Sequence, residues 1–198
     1  MTDADPPDGR VGKANGQTSV AAESGGCDST MHELVSTEGL NKADQYARLC
    51  AQAQALLSGE HDRTANAANL SALLFQGLPD VNWVGFYFFD GVELVVGPFQ
   101  GKPACVRIAL DQGVCGRAAA TGVSQLVPDV QAFPGHIACD TASRSELVVP
   151  LSTAHGRLLG VLDIDSPKLA RFDAEDQHGV EQLARIYLAA CEYQGQLD

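Results

Sequence analysis

No stretch of this 198-residue chain approaches the run of about 18 apolar residues that a membrane-spanning helix needs. Basic residues are scarce, 13 Lys and Arg against 25 Asp and Glu, for a net charge of −12. A surface of that sign repels phosphate backbones and anionic lipid heads, which argues against nucleic acid and membranes as partners. The first ten residues, MTDADPPDGR, are acidic with no apolar segment behind them, so neither a secretory signal nor a transit peptide is expected. That places the six cysteines in a reducing compartment, the cytoplasm. No Cys-x-x-Cys pair occurs, which weakens a structural zinc site, although His136-x-x-Cys139 with two remote thiols keeps one conceivable. Internal repeats and low-complexity segments are absent from the part expected to fold.

Residues 1–36 carry Asp3, Asp5, Asp8, Glu23, Asp28 and Glu33 among Gly, Ser, Pro and Thr, with almost no large apolar side chains. Such a segment cannot bury enough surface to offset its ordering entropy, so a disordered acidic tail is expected there. Cys27 within it reads as an incidental thiol. The remaining 37–198 is expected to form one domain, large enough for a core of its own.

Ala43, Tyr46, Ala47, Cys50, Ala53 and Leu57 mark a helical apolar face that stops at Gly59, and a second helix is expected over 62–76. From Asn82 the period becomes two: Val84, Phe86 and Phe88 on one strand face, Trp83, Gly85 and Tyr87 on the other. Asp90-Gly91 signals a hairpin returning through 92–96, and further strands are expected at 104–109, 124–127, 145–153 and 157–165. Asp173 with Asp176 three residues on marks the start of a closing helix whose apolar face runs from Val180 to Cys191. Cys50 and Cys191 both sit on apolar helix faces and read as core. The order points to an α+β fold, an antiparallel β-sheet with the N- and C-terminal helices packed on one face. The opposite face, with the loops around 98–143, is left for function.

Cys105, Cys115 and Cys139 lie in or beside loops, in Gly101-Lys102-Pro103-Ala104-Cys105, Gly113-Val114-Cys115-Gly116 and Gly135-His136-Ile137-Ala138-Cys139-Asp140. A helix N-terminus or loop can favour the thiolate, so a redox relay competes here with a metal site and with three unrelated thiols. Period two in Gly160-Val161-Leu162-Asp163-Ile164-Asp165 puts Asp163 and Asp165 on one strand face, and the hairpin brings Glu146 to the same edge. Carboxylates crowded in this way raise at least one pKa, leaving an acid able to donate a proton. A strand-ending turn at Asp165-Ser166-Pro167 is the plainer reading of that residue. If the Phe86 side is core, Trp83 and Tyr87 line a cavity. Arg107 and Asp140 are polar neighbours of the thiols with no role fixed.

These segments, with Gly97-Pro98-Phe99-Gln100-Gly101-Lys102 before them, together resemble free methionine-(R)-sulfoxide reductases, enzymes of the GAF fold, over about residues 40–193. The resemblance implies a GAF-like catalytic domain in which Cys139 is the nucleophile, Cys105 the principal resolving thiol and Cys115 an accessory one. It further implies an aromatic pocket of Trp83 and Tyr87, a carboxylate cluster of Glu146, Asp163 and Asp165, and no metal or bound cofactor. Electrons would come from a thioredoxin-type dithiol, itself reduced by NADPH through thioredoxin reductase. With the apolar terminal helices, it also suggests a homodimer. The reading from another class is a GAF module that binds a small ligand and regulates without catalysis.

Overall fold

The structure, a computed structural model, describes residues 1–2, 36–135 and 141–191. The chain separates into two units, 1–31 and 32–198, of which the second holds all the elements below. Nearly all of the expected disordered tail, Cys27 included, lies outside the described residues, as do Cys139 and Asp140.

Two helices open the domain, α1 (Lys42–Leu56) and α2 (Arg63–Gly77). Asn41 caps α1 by accepting from the Asp44 N–H, and Asp62 caps α2 by accepting from the Thr64 and Ala65 N–H groups. Strands β1 (Trp83–Phe89) and β2 (Glu93–Gly101) follow as a hairpin about Asp90-Gly91, where Gly91 takes φ 103° and Asp90 Oδ1 accepts from the Val92 and Glu93 N–H groups. Next come β3 (Arg107–Ala109), α3 (Gly113–Thr121) and β4 (Gln125–Val127), then β5 (Ser145–Ser152), β6 (Leu158–Ser166) and α4 (Ala174–Cys191). The sheet runs β3-β2-β1-β6-β5-β4, and every neighbouring pair is antiparallel.

Two expected boundaries move. The return strand does not stop at Val96 but continues to Gly101, because the β1–β2 register shifts between Gly85 and Tyr87 and the resulting bulge takes in Gly97 and Pro98. A proline is tolerated where no ladder bond is required of its nitrogen. The strand expected from Ala104 begins only at Arg107, so Cys105 lies in the preceding loop. Arg107 Nη1 donates to Asp90 at 3.0 Å and to Glu93 at 2.9 Å on the exposed side of the hairpin.

Period two divides the sheet cleanly. Val84, Phe86, Leu147, Val149, Leu162 and Ile164 face the layer of α1, α2 and α4, and together they make the larger core. Fully covering such a side chain is worth roughly 1.5–3 kcal/mol against leaving it exposed. The other face carries Trp83, Tyr87, Val148 and Val161 against Val114, Cys115, Ala118 and Ala119 of α3, a second and smaller cluster.

A charged knot ties α1 to the start of α4. Asp176 is fully buried, and its Oδ1 accepts from the Tyr46 hydroxyl at 2.9 Å and from Arg171 Nη1 at 3.0 Å. Its Oδ2 accepts from Lys42 Nζ and from the Asp173 N–H, while Asp173 Oδ1 accepts in return from the Asp176 N–H. That exchange is the reciprocal cap expected at the head of the closing helix. Asp176→Ala would leave the Arg171 guanidinium, 8 % exposed, buried without its carboxylate. Breaking one side of a buried pair costs about 3–5 kcal/mol, so urea unfolding of Asp176→Ala is expected to show a loss of that order with the fold retained.

Candidate active site

The site is a product of register across three strands. Trp83 of β1 stands opposite Asp165 of β6, and Asp165 opposite Glu146 of β5, which makes one row. The next row on the same face reads Gly85, Asp163, Val148. Glu146 and Asp165 therefore lie directly across from one another, with Asp163 diagonal to Glu146. The three carboxylates foreseen at one edge are brought together.

Gly85 is required by Trp83. A β-carbon there would come within 2.4 Å of Phe99 Cβ and 2.5 Å of the Trp83 ring, so the indole is free to lie back across the glycine. Trp83 stacks on Phe99 at 5.3 Å and on Tyr87 at 5.8 Å between ring centroids, and its Nε1 donates to the Lys102 carbonyl at 3.1 Å. The ring is thus held by two stacking partners and one hydrogen bond.

Above these rows sits the first turn of α3. Cys115, its third residue, points its Sγ at the carboxylates, donating to Asp163 Oδ2 at 3.2 Å with Glu146 Oε1 at 3.9 Å. The walls of the resulting cavity are Trp83, Tyr87, Ile108 and Val114, and its polar lining includes Lys102, Gln112, Ser143 and the three carboxylates. It holds about 540 Å³ of empty space counting the open mouth, yet the centres of water-sized particles can occupy only about 30 Å³ of it. The inner part is a narrow slot.

Burial governs its electrostatics. Removal from water pushes the Glu146 carboxyl well above the usual range, and the charges of Asp163 and Asp165 push it further. Asp163 is raised to about 7, chiefly by burial, against the opposing help of hydrogen bonds from Cys115 and Glu146. Two acids so close titrate as a pair and retain a proton between them near neutral pH. Cys115 is itself pushed well above an ordinary thiol by burial and then by Asp163 and Glu146. The thiolate-favouring effect expected of a helix N-terminus is overridden there, and Cys115 is a protonated donor.

Of the other thiols, Cys105 is half-buried at the margin of the second apolar cluster, while its neighbours Pro103 and Ala104 line the cavity. Cys139 lies outside the described residues. Cys50 and Cys191 belong to the larger core. Ser143 and Gln112 were not foreseen as cavity residues. Ser143 Oγ accepts from Asn82 Nδ2 at 3.0 Å, which fixes it at the rim. No pattern in Thr141-Ala142-Ser143 marks it.

The folded state holds the Glu146 and Asp163 carboxyl protons more tightly than the unfolded chain, for Asp163 from an unfolded value near 4 up to about 7. Stability from this pair is therefore highest in acid and falls as pH rises through that window. Each tenfold gain in a carboxyl's proton affinity on folding is worth about 1.4 kcal/mol. Urea unfolding from pH 4.5 to 8 is expected to show a falling component in the wild type that Glu146→Gln flattens.

The family model for the GAF domain matches residues 66–190. The free methionine-R-sulfoxide reductase of Escherichia coli is 51 % identical over 144 residues, covering 73 % of this chain and 87 % of that protein. The enzyme of the same name from Saccharomyces cerevisiae is 40 % identical over 162 residues, covering 78 % and 90 %. Among solved structures, free methionine-R-sulfoxide reductase from Neisseria meningitidis, in complex with its substrate, superposes with a TM-score of 0.78 at 44 % identity, over 82 % of this chain and 96 % of that one. With a GAF sheet and helix layer, a cavity on the face those helices leave free, and this degree of likeness along the folded part, the chain belongs to the GAF domain family and to its free methionine-R-sulfoxide reductases.

Proposed function

We propose that this chain reduces free L-methionine-(R)-S-oxide to L-methionine. The observation that carries this reading is the proton-retaining pair of Glu146 and Asp163 at the floor of an aromatic-walled slot. Reducing a sulfoxide needs a nucleophile for sulfur and a proton for the departing oxygen, and a buried carboxylic acid supplies the second.

In the proposed sequence the Cys139 thiolate attacks the sulfoxide sulfur while a carboxyl of the Glu146/Asp163/Asp165 cluster protonates the oxygen. The sulfur–oxygen bond breaks as the bond between Cys139 Sγ and the substrate sulfur forms. The released oxygen, as water, then attacks Cys139 Sγ and loses a proton. The Sγ–sulfur bond breaks with its electron pair staying on methionine, and Cys139 is left as a sulfenic acid. The Cys105 thiol condenses with it, releasing water and forming a disulfide. A thioredoxin-type dithiol, kept reduced by NADPH through thioredoxin reductase, exchanges that disulfide back to two thiols. Cys115 takes the accessory place, since a buried thiol held protonated beside Asp163 is a slow nucleophile. Trp83 covers the methyl–sulfur end, and the carboxylates left ionised hold the substrate ammonium.

A free amino acid suits a site of this form. The slot is narrow between the strand rows and the first turn of α3, which leaves little room for a peptide's flanking bonds, and mispairing buried charged groups is costly. No helix of the described residues is long and apolar enough to cross a membrane.

NADPH oxidation coupled through thioredoxin and its reductase is expected with the free R epimer, and not with the S epimer or a peptide-bound sulfoxide. Cys139→Ser is expected to abolish turnover, whereas Cys105→Ser should complete one turnover and then stall. Full recycling by Cys105→Ser would pass the resolving role to Cys115 or to an external thiol. Equilibrium binding of a small ligand with no thiol-dependent turnover by any variant would favour the regulatory reading.

A further inference from the structure

We propose that in the reduced protein Cys115, Glu146 and Asp163 form a binding site for one thiophilic divalent cation, of the zinc class. The Cys115 sulfur and one oxygen from each carboxylate all lie within 4.8 Å of one another, and all three residues are buried. Tetrahedral zinc with bonds of about 2.0 Å to oxygen and 2.3 Å to sulfur sets its donors roughly 3.3–3.5 Å apart. The sulfur already stands 3.2 Å from Asp163 Oδ2 and 3.9 Å from Glu146 Oε1, near the separation that a shared cation sets between sulfur and oxygen.

A second observation points to a ligand at this place. Asp163 Oδ1 is buried and has no hydrogen-bond partner among the described residues, although Asp163 lines the slot. A carboxylate oxygen left so inside a protein is costly, and a cation chelated by both oxygens of Asp163 would relieve it. Among the slot's lining residues one basic group, Lys102, stands against the carboxylates of Glu146, Asp163 and Asp165.

The donors are also held in place. Glu146 and Asp163 project from paired strands β5 and β6, and Cys115 is fixed in the first turn of α3. One sulfur and two oxygens favour zinc over magnesium or calcium, which prefer all-oxygen shells. On binding, the Cys115 S–H bond breaks and its proton passes to water as the metal–sulfur bond forms. The proton on the carboxyl pair leaves in the same way, and no electrons change hands. Three protein ligands leave one position open towards the mouth for water. This set differs from the His136 and Cys139 pairing that the sequence alone suggested. The proposed substrate would occupy the same slot, so cation and sulfoxide exclude one another; that exclusion rests on the proposed function, while the binding does not.

The test is zinc titration of the fully reduced full-length chain against a chromophoric chelator, beside the absorption spectrum of the cobalt form. One zinc per chain is expected, kept in a Cys105→Ser/Cys139→Ser double variant, weakened at least tenfold in Cys115→Ser and in Glu146→Gln, and unaffected by a large excess of magnesium. The cobalt form should show a thiolate charge-transfer band that Cys115→Ser removes, which serves if Glu146→Gln fails to fold. Binding that survives Cys115→Ser, or that disappears in the double variant, puts the metal on other thiols and overturns the proposal. So does absence of binding, even when the sulfoxide is turned over. Displacement of zinc by free methionine-(R)-sulfoxide is expected; zinc held at Cys115 but indifferent to the sulfoxide would leave the metal site standing and overturn the shared slot.

Discussion

Residue-for-residue alignment of β1, β6 and β5 is the constraint on which the rest of this protein depends. Antiparallel pairing sets Trp83, Asp165 and Glu146 in one row and Gly85, Asp163 and Val148 in the next. The aromatic wall and the acidic floor of the cavity are thereby consequences of one ladder of backbone hydrogen bonds. The helices contribute by holding the other face: with Phe86, Leu162 and Ile164 buried under α2 and α4, their neighbours in sequence have no choice but to face the slot.

That arrangement puts three acidic side chains where a stability-seeking sequence would place aliphatic ones. The cost is met on the opposite side of the sheet, by a core built from the large apolar residues of three helices and three strands. The Asp176 knot adds rigidity to that layer, since it bonds α1 and the approach to α4 through one carboxylate. The cavity's acids thus lie on one face of the sheet, and the larger apolar core on the other.

Much of this was legible beforehand. Alternation in 83–89 and 160–165 separates core from cavity residues, and the cap at Asp173 and the Asp90-Gly91 turn were readable from local chemistry. What escaped depended on partners distant in sequence. Cys115 reads as a favoured thiolate from its helix position, because the carboxylates that oppose ionisation arrive from strands 31 and 48 residues away. The length of β2 was hidden by Gly97-Pro98, which ends a strand in most settings but is absorbed here by a bulge against β1. Ser143 is brought to the rim by the chain's path from β4 to β5, and no local signal exists for a residue placed only by tertiary geometry.

The alternation along β6 has a further implication for how this gene can change. Leu162 and Ile164 look one way and Asp163 and Asp165 the other, and a strand flanked by partners on both sides cannot bulge freely. A one-residue insertion or deletion between Gly160 and Asp165 would exchange the two sets, putting carboxylates into the main core and leucine and isoleucine into the slot. Variation in this strand is therefore confined to replacement at fixed length, while changes in length belong in turns such as Ala154-His155-Gly156, where the backbone is exposed.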